Sequence, residues 1–417
     1  VKDRSREDVA CLFGSTARKR REQMRLTALD GWRGVLALFI VLAHFPGHVV
    51  LMDTSFYEGG SAIVDVFFLF SGFVIVSNYE TKLANGYGAG RFLIERLGRI
   101  YPIHFVMLVM FLIFELVLVY VGHRSGYVER PPFSGGNTIP SFWSNLFLVH
   151  SLGLHEVAGW NYPSWSLSTE WATYILFALT LLLPGRSFLP FAVVGFIASP
   201  ILLANLSPYP MHETYHYGIL RSIYGFCGGA LIYYIYARIK SRQLEEKLSV
   251  AAWTVLEIVA TSLIFILPFT MGTSPYAVLM TLAFTPFILI FAIQKGYLSQ
   301  ILGHRVAVYL GTISLSIYMI HAFILLRVVN VAELIQKLTG IPLVETQIFR
   351  GLPTKLVVMD PLYMNILAFS VMGLVVVISH FTYRYIEVPA EKKVRSWTKA
   401  RAQARAEEKP LPAPAVL

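Results

Sequence analysis

Ten stretches of this chain, each roughly 17–25 residues long, are almost wholly apolar. They lie at approximately 32–51, 61–79, 101–121, 163–183, 188–206, 218–237, 250–269, 275–294, 306–328 and 361–383. A run of that length crosses a hydrocarbon layer as an α-helix, because inside lipid only helices and closed barrels satisfy every backbone polar group. The runs are too long and continuous for the alternating pattern of a barrel strand. The chain therefore reads as all-α, a polytopic integral membrane protein of about ten transmembrane helices. Of its 417 residues 55% are hydrophobic and only 14% charged, well below the charge of a soluble domain. The segment 141–155, with His150 and His155, is too short to span and reads as interfacial or re-entrant.

The charges that remain are unevenly placed. With the N-terminus in the cytoplasm, the inner segments hold 28 lysines and arginines and the outer loops five. This bias makes both termini cytoplasmic. It accounts for the net charge of +10 without nucleic acid as a partner, and leaves membrane lipids as the surface on which basic stretches rest. Residues 1–28 read as a basic arm, 29–389 as the membrane domain, and 390–417 as a charged tail expected to be disordered. No cleavable signal is visible, so the first span would serve as an uncleaved anchor. Cys11 and Cys227 offer neither a disulfide framework nor a metal spacing. His212 and His216 are spaced i, i+4 but lack an evident third ligand, so no metal is expected. Neither a Walker motif nor a dinucleotide fingerprint is present, which argues against an ATP-driven pump.

Ionisable residues within apolar helices are costly and mark function by default. Arg33 and His44 are eleven residues apart, which is about three turns and roughly 16 Å on one helical face. Asp65 sits deep in Gly60-Ser-Ala-Ile-Val-Asp65-Val-Phe-Phe, at a depth suited to orienting His44, while Ser71-Gly72 is a small-residue packing surface. Arg96 and Arg99 are spaced i, i+3 in an inner loop and share one face. Paired guanidinium groups favour phosphate oxygens. Glu170 opens the fourth span within Trp165-Ser-Leu-Ser-Thr-Glu170, and Trp165 is placed either to stack on a sugar or to join the interfacial belt. Tyr318 and His321 share a face of the ninth span. Arg384-Tyr-Ile-Glu387-Val-Pro389 reads as a helix stop with a local ion pair.

These motifs, in this order, resemble the membrane-bound acyltransferase-3 family over about Leu26 to Pro389. The carrying residues are Arg33 with His44, Asp65 to Phe73, Arg96 to Pro102, Trp165 to Glu170 through Ser168, Ser316 to His321, and Tyr385 to Pro389. The resemblance implies transfer of an acyl group, usually acetyl, from cytoplasmic acyl-coenzyme A to a hydroxyl. The acceptor would be an envelope or exported glycan, or a lipid-linked sugar, at a bacterial inner membrane. The chain resembles the stand-alone members rather than those fused to an SGNH-type hydrolase domain.

On this reading Arg33, Arg96 and Arg99 hold the donor, with Arg33 on a phosphate or on the thioester. His44 acts as general base or as transient acyl carrier, since a neutral imidazole is basic near neutral pH. Asp65 or Glu170 orients its ring, and Trp165, Ser168, Tyr318 and His321 receive the acceptor. A proton-coupled exporter of a glycan or small molecule is the alternative that buried His, Asp and Arg would equally permit.

Overall fold

The computed structural model describes residues 26–49, 60–125, 130–183, 185, 187–272, 274–349 and 352–407. The basic arm up to residue 25, Cys11 and the residues after 407 lie outside these.

The helices are α1 (Thr27–Ala43), α2 (Ile63–Ala84), α3 (Ala89–Ser125), α4 (Ile139–Leu146), α5 (Trp165–Thr180), α6 (Leu189–Leu206), α7 (Gly218–Ser241), α8 (Val250–Met271), α9 (Leu279–Ile293), α10 (Tyr297–Leu302), α11 (Arg305–Thr312), α12 (Ser314–Thr339), α13 (Pro361–Thr382) and α14 (Val388–Glu407). Among the described residues, 8 helical segments are long and apolar enough to cross a membrane: those of α2, α3, α6, α7, α8, α9, α12, and α13 continuing into α14. The fold is an all-α polytopic membrane bundle. The two other expected spans, α1 and α5, are 17 and 16 residues long. Both sit among other helices, with Leu36, Ile40 and Phe177 fully buried.

Close backbone approach holds the centre together. A Cβ on Gly72 of α2 would lie 1.9 Å from the Phe226 carbonyl oxygen of α7, and one on Gly229 of α7 would lie 2.0 Å from the Leu69 oxygen of α2. Only glycine permits this contact, which is how helices associate where lipid removes the hydrophobic drive. Gly311 of α11 lies as tightly on Asp30 of α1. Orphan helix-start groups find partners too. Gln294 accepts from the Ala28 N–H at 3.2 Å and the Thr27 hydroxyl at 3.0 Å. Buried Glu257 of α8 accepts the N–H groups of Gly296 and Ser299 at the start of α10.

Several expected boundaries move. Helix α3 begins at Ala89, so Arg96 and Arg99 lie inside the helix and not in a loop, with Pro102 within it. The run 306–328 breaks at Ile313 between α11 and α12, where α11 is pinned to α1 through Gly311. The segment 141–155 holds only the short α4 and turns, and does not span. An antiparallel hairpin, β1 (Val344–Phe349) with β2 (Leu352–Val357), pairs Val344 with Val357. The Val357 N–H donates to the Pro46 oxygen at 2.7 Å, tying the hairpin to the end of α1. Its Val-Glu-Thr-Gln-Ile alternation is the strand signal that the helical reading passed over.

The tail expectation is corrected for residues 390–407, which are helical. Glu391 and Arg395 pair at 2.6 Å along α14. Thr398 donates to Glu95 of α3 at 3.0 Å, and Val394 fills the space that a Cβ on Gly98 would enter. The expected stop at Arg384–Glu387 is instead one π turn, Tyr383–Glu387, between α13 and α14. Glu387 accepts from Ser316 of α12, so its partner is not Arg384. Such single π turns recur at functional sites.

Candidate active site

Arg33 of α1, Arg96 and Arg99 of α3, Glu170 and Tyr174 of α5 and Tyr318 of α12 line one cavity of about 140 Å³, walled by Phe67, Phe70 and Ser71 of α2. Helical spacing places them: i, i+3 for the α3 arginines and i, i+4 for Glu170 and Tyr174. Tyr174 donates to Glu170 at 2.6 Å. Its single proton is thereby used, so Ser71, at 2.9 Å, donates to the Tyr174 oxygen. The chain Ser71–Tyr174–Glu170 orients the carboxylate.

The cations are less well matched. Arg96 donates to the Tyr79 hydroxyl at 2.8 Å, but its Nε is buried with no partner among the described residues. Arg33 has Asp30 at 4.0 Å. Three guanidinium groups thus face one carboxylate across a small, largely apolar cleft. That arrangement suits an anionic group with several oxygen acceptors.

His44 does not line this cleft. It caps the end of α1 rather than lying within the helix. Its Nδ1 is 2.9 Å from the Ile40 oxygen. A carbonyl only accepts, so Nδ1 carries the proton and Nε2 keeps a free lone pair, a tautomer assigned from this contact. His321 of α12 follows the same rule, with Nδ1 2.6 Å from the Tyr318 oxygen and Nε2 buried with no partner among the described residues. The two rings lie 5.2 Å apart, with the Tyr162 ring 5.7 Å from His44. Tyr318 joins the two regions. Its hydroxyl accepts from Ser166 at 3.0 Å and donates to the Pro163 oxygen at 2.8 Å, and its ring is 5.7 Å from His321.

Three expected site residues sit elsewhere. Asp65 does not orient His44: its carboxylate is bound to Arg221 of α7, Nη2 to Oδ2 at 2.5 Å, with both side chains 0% exposed. Arg221 also donates to the oxygens of Glu213 and Ser61. Trp165 lies against this pair, with the Arg221 guanidinium 4.8 Å from its ring centre, and is buried, so no face is open to a sugar. Ser168 is buried, donates to the Leu148 oxygen and accepts from the Ser151 N–H. Each is fully engaged in packing. Glu170 meets Tyr174 in the arginine cleft, and no contact joins it to His44. Conversely Tyr174, Ser71 and Tyr162 were not anticipated. Tyr174 was discoverable as the i+4 neighbour of Glu170, and Arg221 as a buried charge in need of a partner.

Among the described residues no group of three or more His, Cys, Asp or Glu gathers. In the segment between α4 and α5, His150 is buried with Nε2 3.1 Å from the Ser164 hydroxyl. Burial, and then the nearby His104, push it down to about 3.

A multi-pass helical protein with a cationic cleft, whose Tyr318 packs against the His321–His44 ring pair, is the class these features define. The chain belongs to the acyltransferase-3 family, whose acyltransferase-domain model matches residues 26–385. It is 33% identical over 166 residues to Acyltransferase MdmB of Streptomyces mycarofaciens, covering 37% of this chain and 39% of that protein. It is 23% identical over 333 residues to Peptidoglycan O-acetyltransferase OatA of Listeria monocytogenes, covering 74% of this chain and 51% of that protein. It is 37% identical over 99 residues to Protein 2 in picA locus of Rhizobium radiobacter, covering 24% of this chain and 50% of that protein. The matches thus span 39 to 51% of these relatives' lengths. No solved structure matches the chain.

Proposed function

We propose that this protein is a membrane O-acyltransferase that moves an acyl group, acetyl by preference, from cytoplasmic acyl-coenzyme A to a hydroxyl of an envelope or exported glycan. The observation that carries the reading is the convergence of Arg33, Arg96 and Arg99 on one cleft, set about 16 Å along α1 from His44. A donor with phosphates at one end and a thioester at the other, joined by a thin arm, matches that layout. The separation supports Arg33 as a phosphate ligand rather than as an oxyanion donor beside His44.

At the reacting end, the Nε2 lone pair of His44 takes the proton of the acceptor hydroxyl as its oxygen attacks the thioester carbonyl. The carbon–sulfur bond breaks, and the imidazolium returns the proton to the departing thiolate. The Nδ1–H bond to Ile40 fixes the tautomer that this step requires. The family assignment and the OatA likeness support acyl transfer to a sugar hydroxyl.

The test uses purified protein in liposomes with radiolabelled acetyl-coenzyme A and a glycan acceptor. His44→Ala abolishes transfer while coenzyme A still binds, and wild-type turnover in that variant refutes the proposed base. Arg96→Ala with Arg99→Ala raises the donor KM. Absence of any coenzyme A binding by wild-type protein refutes the reading as a whole and favours a transporter.

A further inference from the structure

Arg327 of α12 belongs to none of the groups above. It lies nine residues beyond Tyr318, the α12 residue that lines the arginine cleft, about 14 Å along the helix. That is about half the thickness of a bilayer's hydrocarbon core. Its guanidinium carbon rests 3.2 Å over the ring of Phe114 of α3 and 5.0 Å from that of Phe323. Nε and Nη1 are enclosed with no hydrogen-bond partner among the described residues, and the residue is only partly buried, which leaves Nη2 as its open edge.

The nearby carboxylate is occupied. Glu115, the acidic group that acts on Arg327, is bound to Arg130 through two nitrogens. It also accepts from the Phe133 N–H at 2.8 Å and from Asn137 at 2.6 Å. A guanidinium in a membrane helix with aromatic faces, and among the described residues no carboxylate bonded to it, favours an anion from outside the chain. Met110, one turn before Phe114, and Leu326, next to Arg327, are exposed, so an apolar flank runs from the charge toward the membrane interior.

We infer that Arg327 is a binding site for the phosphate headgroup of an anionic amphiphile, whose chains lie along the flank of Met110 and Leu326. The chemistry is shared by a bulk anionic phospholipid and by a phosphate-linked lipid carrier. The site is independent of the acyl-transfer reading.

The experiment compares wild type, Arg327→Gln and Arg327→Lys as full chains in phosphatidylcholine nanodiscs. Each is titrated with phosphatidylglycerol and, separately, with dodecyl phosphate, and bound ligand is counted by native mass spectrometry. Wild type binds one molecule more than Arg327→Gln, whose affinity at this site is roughly tenfold weaker through loss of one charge-assisted contact. Arg327→Lys, which keeps the charge but not the planar stack, falls between them and serves if the glutamine variant does not fold. Retention of phosphatidylglycerol assigns a bulk lipid, and preference for dodecyl phosphate assigns a phosphomonoester carrier. Equal binding of both probes by wild type and the two variants overturns the site. Coenzyme A binding, measured in parallel, reports separately on the arginine cleft.

Discussion

Replacing Asp65 with asparagine separates a structural charge from a catalytic one. Asp65 and Arg221 are both fully buried and joined by two contacts, at 2.5 and 3.4 Å. Asparagine keeps the shape but leaves Arg221 as a buried cation held only by the Glu213 and Ser61 oxygens. Breaking a buried pair on one side costs about 3–5 kcal/mol, a thousandfold shift in the folding equilibrium near the middle of that range. Arg221→Met strands the carboxylate and costs a similar amount. The double variant leaves neither charge exposed to a missing partner, so it is no worse than either single change. The assay is a double-mutant cycle by thermal unfolding in detergent, with coenzyme A binding measured on the folded fraction. Additive losses in the cycle would remove the coupling on which this argument rests. An Asp65→Asn protein with wild-type stability and donor affinity but no turnover would return Asp65 to the chemistry.

Tyr174→Phe releases Glu170 to approach the arginines and raises the donor KM about tenfold, from one lost bond to a charged group, read by steady-state kinetics at unchanged melting temperature. Gly72→Ala drives a methyl into the Phe226 carbonyl and costs about 1–3 kcal/mol in chemical unfolding, whereas Gly373→Ala, with nothing within 4 Å, is neutral or stabilising by up to about 1 kcal/mol. His150, held down at about 3 by burial, stays neutral when folded while the unfolded chain takes up a proton below about 6.5. Its contribution is complete above that pH and is lost progressively as pH falls toward 3, so the melting temperature of wild type falls more steeply between pH 7 and 5 than that of His150→Gln.

Helix positions were legible because lipid leaves so little choice: an apolar run of span length must be a helix. Errors fell where that rule stops applying. The start of α3 was misplaced by twelve residues because its first turns carry Arg91, Glu95, Arg96 and Arg99, which periodicity in hydropathy cannot register as helix. The tail was read as disordered from its charge, yet Val394 and Thr398 give α14 a face that docks on α3. Within the site, same-helix relations were readable and cross-helix ones were not. The i, i+3 arginines do share the cleft. Asp65 was given the wrong partner because its true one, Arg221, lies more than 150 residues away on a helix whose rotation only packing determines. Ser71 and Gly72, read together as a packing surface, divide: the glycine meets α7 and the serine faces the cleft.

The docking of α14 on α3 brings together two segments far apart in the sequence. Glu95 receives Tyr87, Arg91 and Thr398 together, and the next residue along α3 is Arg96. The cationic wall of the cleft is thus braced from behind by a segment some 300 residues later in the chain. A protein shortened after Glu387 would keep every residue that lines the cavity and still lose the strut that aims two of its arginines.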